Sequence, residues 1–531
     1  MTTLIRICMC WSVSIFLLST TIRGEEYVYS VPDIPDPLIV ETYKQAAEKN
    51  IIACVYPKVF PGYWSVCADG QGFGYANSYP SLDGHQIADA LLRLGGYETL
   101  KLNWNYVRSF QRLDGCLPLA ILPSSAGGML PYDTPIDPNG GLYKHWVPGN
   151  PLDALASPTY IANAVIIYAA GQDRQWLASQ ISSINLSADY LLSLVTEDGR
   201  VRGAGYYIER PTRIESDGVA QCYAIDAFRK VSELNAVLGR EEDAEHYRKI
   251  AKKMQHYFIT KFWHENKFAE YYNPEYGFIT AHGLTDTDWA SIALCIATRE
   301  QTEILYPQLS NDKGFIYGTM PAGISTKPQT YEDWEFAHPD RYDLGAMGRV
   351  WYLTAMANAE RHDSTNLVAG LHAVAEQGKK NDFYWHERYH PSDNEENHPA
   401  GPITYCEYPA NFIRIVQRFL LGIDICIDGV IVLAPNVPDD YWQKGFGQEI
   451  RLPTRTLSYS CSSDKIKGTW QGKNNQSLRI RLCGSPFHSS PCKVTIDGKT
   501  TNGIVENGML FLDLPESEHT IDWEVIWNND Q

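Results

Sequence analysis

The chain has 531 residues, of which 44% are hydrophobic and 12% aromatic, enough to bury a sizeable core and too apolar for a disordered protein. Its formal net charge of −18, without any run of Lys or Arg, argues against a nucleic-acid backbone or an anionic membrane surface as partner. The ligand expected is neutral or weakly charged.

Arg6, the short apolar run Ile7 to Ser19 and the small residues up to Gly24 read as a secretory signal over residues 1–24, too short for a membrane span. This predicts a secreted or periplasmic protein, and no later stretch approaches the roughly 20 apolar residues that a crossing helix needs. Cys8 and Cys10 leave with such a signal, and the ten remaining cysteines show no zinc spacing. Cys54 with Cys67 and Cys483 with Cys492 are the nearest pairing candidates, whereas Cys222, Cys295 and Cys406 read as buried small hydrophobes. Sequons stand at Asn185 and Asn475.

Apolar residues at helical spacing predict inner helices near Asp83–Leu94, Ala154–Ala170, Gly218–Leu238, Trp289–Thr298, Leu344–Ala359 and Ile403–Leu421. After each of the first five come a short break and a more polar amphipathic helix: Tyr97–Arg112, Arg174–Leu194, Glu241–Phe262, Glu300–Leu309 and Asn366–Gly378. The unit repeats at intervals of about 57 to 71 residues, the sign of an array or closed ring of helix pairs. The sixth inner helix lacks an outer partner. Pro37–Asn50 supplies one if the ring closes, giving an (α/α)6 barrel over residues 25–425.

Long loops rich in Gly, Pro, aromatics and acids lead into the inner helices, whereas returns within a hairpin take a few residues. Loops of that length in a compact domain are usually functional, so one face of the ring is the working face. Asp83, Asp153, Asp217, Asp286 with Asp288, Asp343 and Glu407 recur near the inner-helix starts. Any one of them reads as a helix cap. Together they converge on one depression, where crowding separates their ionisation. The stretch Asp382–Phe412 is the richest, with Trp385, Tyr405, Tyr408, Glu387 and Glu407 in and after one loop.

From about Ile427 short alternating segments broken by Gly, Asn, Asp and Pro predict a small antiparallel β-sandwich, residues 426–531, in a supporting role.

Opposed carboxylates in an aromatic-lined pocket suit cleavage of a glycosidic bond. The hairpin order, Trp385-His386-Glu387-Arg388 in the loop before the last inner helix, and Gly422-Ile423 to Pro435 entering the β-sandwich resemble the six-hairpin glycosidases, most closely their α-L-rhamnosidase branch. The resemblance implies an inverting glycosidase with a carbohydrate substrate and places the general base on Glu387. Ser81-Leu82-Asp83-Gly84-His85-Gln86 is similar to the family's early inner-helix start, but Gly70–Tyr79 holds no Glu where the family carries its general acid. For the acid, Asp217 and Glu215 in Arg210–Gly218 come first, and Glu332, Asp333 and Glu335, with Trp334 between them, come second. Asp83, Trp146, Asp288, Trp334, Trp385, Tyr405 and Glu407 are the expected substrate contacts. No cofactor or metal is predicted, although the acidic loops are compatible with Ca²⁺. Two other classes compete: a polysaccharide lyase, kept open by His386, His390 and His398 near Tyr389, and a non-catalytic sugar-binding protein.

Overall fold

The computed structural model describes residues 17–22, 25–57, 61–69, 79–118, 120–121, 154–203, 215–336, 341–392, 394, 396–472, 478–483, 492–503, 505–506, 509–514 and 519–527. Twelve helices make up the larger part. They are α1 (Pro37–Gln45), α2 (Ser81–Arg93), α3 (Tyr97–Arg108), α4 (Ala156–Gly171), α5 (Arg174–Ser193) and α6 (Gly218–Val237), then α7 (Glu241–Tyr257), α8 (Asp286–Ala293), α9 (Arg299–Asn311), α10 (Gly348–Glu360), α11 (Ser364–Lys380) and α12 (Glu407–Ile415). α1, α7 and α12 each run on into a π-helical turn.

The even-numbered helices form the inner wall. Each packs on the next, α2 on α4, α4 on α6, α6 on α8, α8 on α10 and α10 on α12, and α12 packs back on α2. α1 and its π turn lie against α11 and α12, so the first helix of the chain completes the last hairpin. The ring is closed, as the missing sixth partner predicted. The two walls differ as their sequences require: α4 buries every residue except Ile166, whereas α7 buries only Ala244, Tyr247, Ala251, Met254 and Tyr257, one stripe of an otherwise wet helix. Aspartates start many of these helices, with Asp36, Asp173, Asp217 and Asp363 each accepting a backbone N–H from three residues on.

Boundaries shift where tertiary bonds compete with periodicity. α12 begins at Glu407 rather than near Ile403, because Thr404 bridges to Trp385 and Tyr405 to Cys67 in extended form. α8 begins three residues early, on a Thr285/Asp288 capping box, and ends at Ala293. Cys295 lies beyond that end with φ 51° and is exposed, not buried as its surroundings suggested. Asn185 is no surface-loop sequon, since it sits in α5 and exchanges amide hydrogen bonds with Asn235 of α6 at 3.2 and 2.8 Å. Asn475 lies outside the described residues.

The C-terminal part forms two sheets. Six antiparallel strands run in the order Phe446–Leu452, Arg455–Cys461, Lys465–Gly472, Ile521–Trp527, Cys492–Ile496 and Lys499–Gly503. The second sheet includes one parallel pairing, Ile431–Leu433 with Leu478–Cys483. The sheets dock beside the C-terminal ends of inner helices: Arg455 donates to Ala169 O at 2.8 Å, Tyr459 to Leu421 O at 2.9 Å and Gln172 to Ile427 O at 3.1 Å. The loops at the helix N-termini are therefore left on the opposite face.

Inside the ring, charge is neutralised pairwise. Asp89 holds both Arg93 and Arg414, at 3.0 and 2.7 Å, and Arg349 grips Glu407 in a fork with bonds of 2.9 and 2.8 Å between α10 and α12. Neither Arg349 nor Glu407 reaches solvent, so removing one partner strands a buried charge. Arg349→Met should lower the urea-unfolding free energy by about 3 to 5 kcal/mol, and Arg349→Met combined with Glu407→Met should recover most of that loss.

Candidate functional site

The loops on the open face are tied to one another by short backbone pairings. Ser216–Asp217 pairs with Tyr271–Asn273, which pairs with Gly277–Ile279, and Ala346–Met347 pairs with Arg388–His390, which pairs with His398–Ala400. Single bridges add Thr285 to Ser325, Gly323 to Ala346, Trp385 to Thr404 and Cys67 to Tyr405. The loops of the third to sixth hairpins form a belt, and the side chains between the pairings are set by backbone geometry.

Glu387 immediately precedes one of these strands and is almost buried. Tyr342 donates to its Oε2 at 2.6 Å, and the Arg388 guanidinium donates to its Oε1 at 2.5 Å. Arg388 also donates to Asp343 at 2.8 Å and lies 4.1 Å from the Tyr342 ring centroid. Gly401, at φ +75°, closes the other side: a β-carbon there would meet the Glu387 carboxylate and the Tyr342 hydroxyl at 2.7 Å. Burial, and then the neighbouring Glu387 charge, push the Tyr342 phenol well above its usual range. Tyr342 therefore stays protonated and donates, leaving Glu387 an acceptor from both sides.

A second cluster lies in the loops before α8 and α10. His282 bonds Glu270 through Nδ1 at 2.5 Å and approaches Glu335 through Nε2 at 3.3 Å. Tyr331 donates to Glu270 at 2.8 Å and stacks on the imidazole, while Tyr271 donates to Glu335 and the Glu332 amide reaches it at 2.8 Å. Burial alone would lower the His282 pKa, but its bonds to the two glutamates outweigh this and raise it. Burial would raise that of Glu335, yet the bonds from His282, Tyr271 and the Glu332 amide hold it below the ordinary value. The cluster thus holds an imidazole between two carboxylates that favour its charged form. Sequence reasoning passed over Glu270, His282 and Tyr342, and had the Asp343–Arg388 contact only as an isolated acid.

The remaining predicted residues fall into distinct places. Asp217 is buried and caps α6, accepting from Ala220 N at 2.9 Å, while Glu215, with 27% of its side chain exposed, pairs with Arg202 at 3.0 Å. Glu335 is committed to the His282 cluster. Asp288 is enclosed, its oxygens accepting from the Phe268 and Thr285 amides at 2.8 Å; burial lifts its pKa to about 7 despite those bonds. It serves the α8 start rather than a ligand surface. Glu407 is held by Arg349.

The aromatic expectations need correction. Trp385 is fully buried, its indole N–H donating to Val374 O at 2.9 Å and its ring filling the slot left by Gly378, where a β-carbon would come within 2.2 Å. Tyr405 packs with Val66 and Cys67. Both belong to the core. Trp334, by contrast, is 37% exposed and stacks on Tyr276 at 4.5 Å, with its N–H fixed on Glu332. Trp146 and the side chain of Asp83 lie outside the described residues. Among the described residues no group of three or more His, Cys, Asp and Glu is placed to hold a metal, and no helix is long and apolar enough to cross a membrane.

Residues 139–303 match the family model of the bacterial alpha-L-rhamnosidase 6 hairpin glycosidase domain. Solved structures agree. The α-L-rhamnosidase of Dictyoglumus thermophilum is similar at 14% identity and TM-score 0.58, over 96% of this chain and 52% of its own. The GH78 family rhamnosidase of Bacillus sp. GL1 matches at 12% and 0.59 over 82% of this chain and 41% of its own, and the Streptomyces avermitilis α-L-rhamnosidase complexed with L-rhamnose at 12% and 0.55 over 94% and 43%. The chain spans about half or less of the length of these proteins, and identities this low speak for the fold alone. No curated protein sequence matches the chain. The described chain has a mainly helical six-hairpin glycosidase fold.

The His282 cluster gives a pH test. The raised imidazole contributes stability that is fully present below its unfolded pKa and lost as pH rises through the folded value. Glu335, depressed, contributes stability present above its unfolded pKa and lost as pH falls through the folded one. His282→Gln should therefore cost about 2 to 4 kcal/mol in urea unfolding near pH 6 and progressively less in alkaline buffer.

Proposed function

We propose that this six-hairpin glycosidase domain hydrolyses a terminal sugar from an oligo- or polysaccharide, rhamnose being the first sugar to try, with inversion at the anomeric carbon. The observation that carries this is Glu387: a carboxylate in the sixth-hairpin loop, fixed by Tyr342 and Arg388 and walled by Gly401. A general base needs an acceptor oxygen in a defined place, with its remaining lone pairs free for water. Both Glu387 oxygens are held in a defined place by a phenol and an arginine, with 7% of the side chain exposed.

The acid is read from what the candidates already do. Glu335 is held ionised by His282 and Tyr271, and Asp217 caps α6 from a buried position. Glu215 is the member of the trio with solvent-exposed carboxylate area, two residues before that cap and hinged on Arg202. We assign it the acid role, which requires substrate binding to draw it away from the arginine. The sugar-binding reading is favoured by a separate observation, the internal engagement of Asp217, Asp288, Glu335 and Glu407. The lyase reading draws no such support, since His386 and His390 direct Nδ1 to the carbonyls of Gly401 and Leu344.

Turnover of aryl α-L-rhamnosides and a panel of other aryl glycosides, with the product anomer followed by NMR, tests reaction and stereochemistry together. Glu387→Gln should lower kcat by about 10² to 10⁴-fold. Glu215→Gln should be costly for sugars with poor leaving groups and mild for activated aryl glycosides, because a good leaving group needs little protonation. Full turnover by Glu387→Gln overturns the assignment, and binding without turnover by the unaltered protein favours the sugar-binding reading.

A further inference from the structure

Three buried cysteines meet where the ring closes. Cys54 follows the π turn after α1, Cys67 lies in the segment bridged to Tyr405, and Cys406 immediately precedes α12. Their backbones are interlocked: Ser65 N donates to Cys54 O at 2.8 Å and Cys406 N to Val66 O at 2.7 Å. The sulfurs of Cys54 and Cys406 converge on successive carbonyls, Cys54 Sγ lying 3.2 Å from Ile51 O and Cys406 Sγ 3.8 Å from Asn50 O. Burial, and then the neighbouring Cys54 thiol with Cys67 beyond it, push the Cys406 thiol well above its usual range. Asn50 and Cys406 are 356 positions apart in sequence, so nothing local brings these groups together.

We propose that Cys54 and Cys406 are a cross-link site: in an oxidising environment they form a disulfide that closes the helical ring covalently. The structure shows both as thiols, the reduced state of the pair. Formation is a two-electron oxidation with an external disulfide such as oxidised glutathione as acceptor. One cysteine thiolate attacks a glutathione sulfur and expels a glutathione thiolate. The other then attacks the mixed disulfide, forms the Cys54–Cys406 bond and releases the second. Two protons leave with the two glutathione thiols. Because both side chains are fully buried, the reaction belongs to folding, before α12 has packed against the π turn. Cys67 is the neighbour through which a misplaced bond can exchange.

The bond would act beyond its own site. Cys406 joins Glu407, which holds Arg349, to Tyr405, whose amide donates to Trp385 O at 3.2 Å, two residues before Glu387. The cross-link anchors the C-terminal end of the loop that carries Glu387, and the Tyr405–Trp385 backbone bond ties the other end to it. It also encloses most of the ring in one covalent loop, the arrangement in which restriction of the unfolded chain is greatest. This inference stands apart from the glycosidase reading, since it needs no turnover to test.

The experiment is refolding of the reduced, full-length protein in a glutathione redox buffer, followed by blocking of free thiols under denaturing conditions and non-reducing peptide mapping by mass spectrometry. A peptide pair joined through Cys54 and Cys406, a midpoint of thermal unfolding lowered by several degrees on reduction, and loss of that sensitivity in Cys54→Ser but not in Cys67→Ser are expected. Alkylation of both Cys54 and Cys406 in the oxidised preparation, or a bond from Cys54 to Cys67 instead, overturns the proposal. The mapping is done on the unaltered sequence, so the result does not depend on whether a variant folds.

Discussion

The contact of α12 with α2 is the constraint on which the rest depends. Five hairpins in succession would leave two apolar faces in water, one on α2 and one on α10, each too large to leave uncovered. α12 covers both, packing on α10 on one side and on α2 on the other, while α1 is folded in behind it. With the ring complete, every inner helix has two inner neighbours and an outer partner. Burial of nearly every residue of α4 then becomes sustainable.

A filled ring must also dispose of its charges. The inner wall carries Arg349 and Arg414, buried groups whose desolvation in isolation would be prohibitive, and the partly exposed Arg418. Each is balanced across a helix boundary or at a helix end: Arg349 by Glu407, Arg414 by Asp89 and Arg418 by Asp424 at 3.1 Å. Arg414 additionally lies 3.7 Å from the Tyr352 ring centroid. These pairs add orientation more than stability, because an apolar side chain of the same volume would bury at lower desolvation cost. They specify which helix faces which, in a ring whose apolar stripes alone are nearly interchangeable.

The ring was legible in the sequence because its signals are local. Helical periodicity and capping aspartates such as Asp173 and Asp363 act within a few residues, and the unpaired sixth helix required α1 as partner. The loop with Glu387 was legible too, through its density of acids and rings. The error with Trp385 shows the limit: exposed and buried tryptophans are identical in sequence, and the difference here is made by Gly378 seven residues away in α11. The Glu270–His282–Glu335 cluster went unseen for a related reason. Its tyrosines reach their glutamates across 61 and 64 positions, a distance over which no periodicity speaks.

The belt of two- and three-residue pairings around the open face has a further consequence for how such a protein can change over generations. Main-chain hydrogen bonds do not depend on which side chains flank them. A loop held at Ala346–Met347 or Ser216–Asp217 can exchange most of its other residues while the carbon skeleton next to Glu387 or Glu215 stays in register. Selection on the ligand is thereby decoupled from selection on the ring. A domain arranged in this way can drift to low overall identity with its structural neighbours and reach new ligands by altering loop tips, without first passing through a variant whose barrel fails to close.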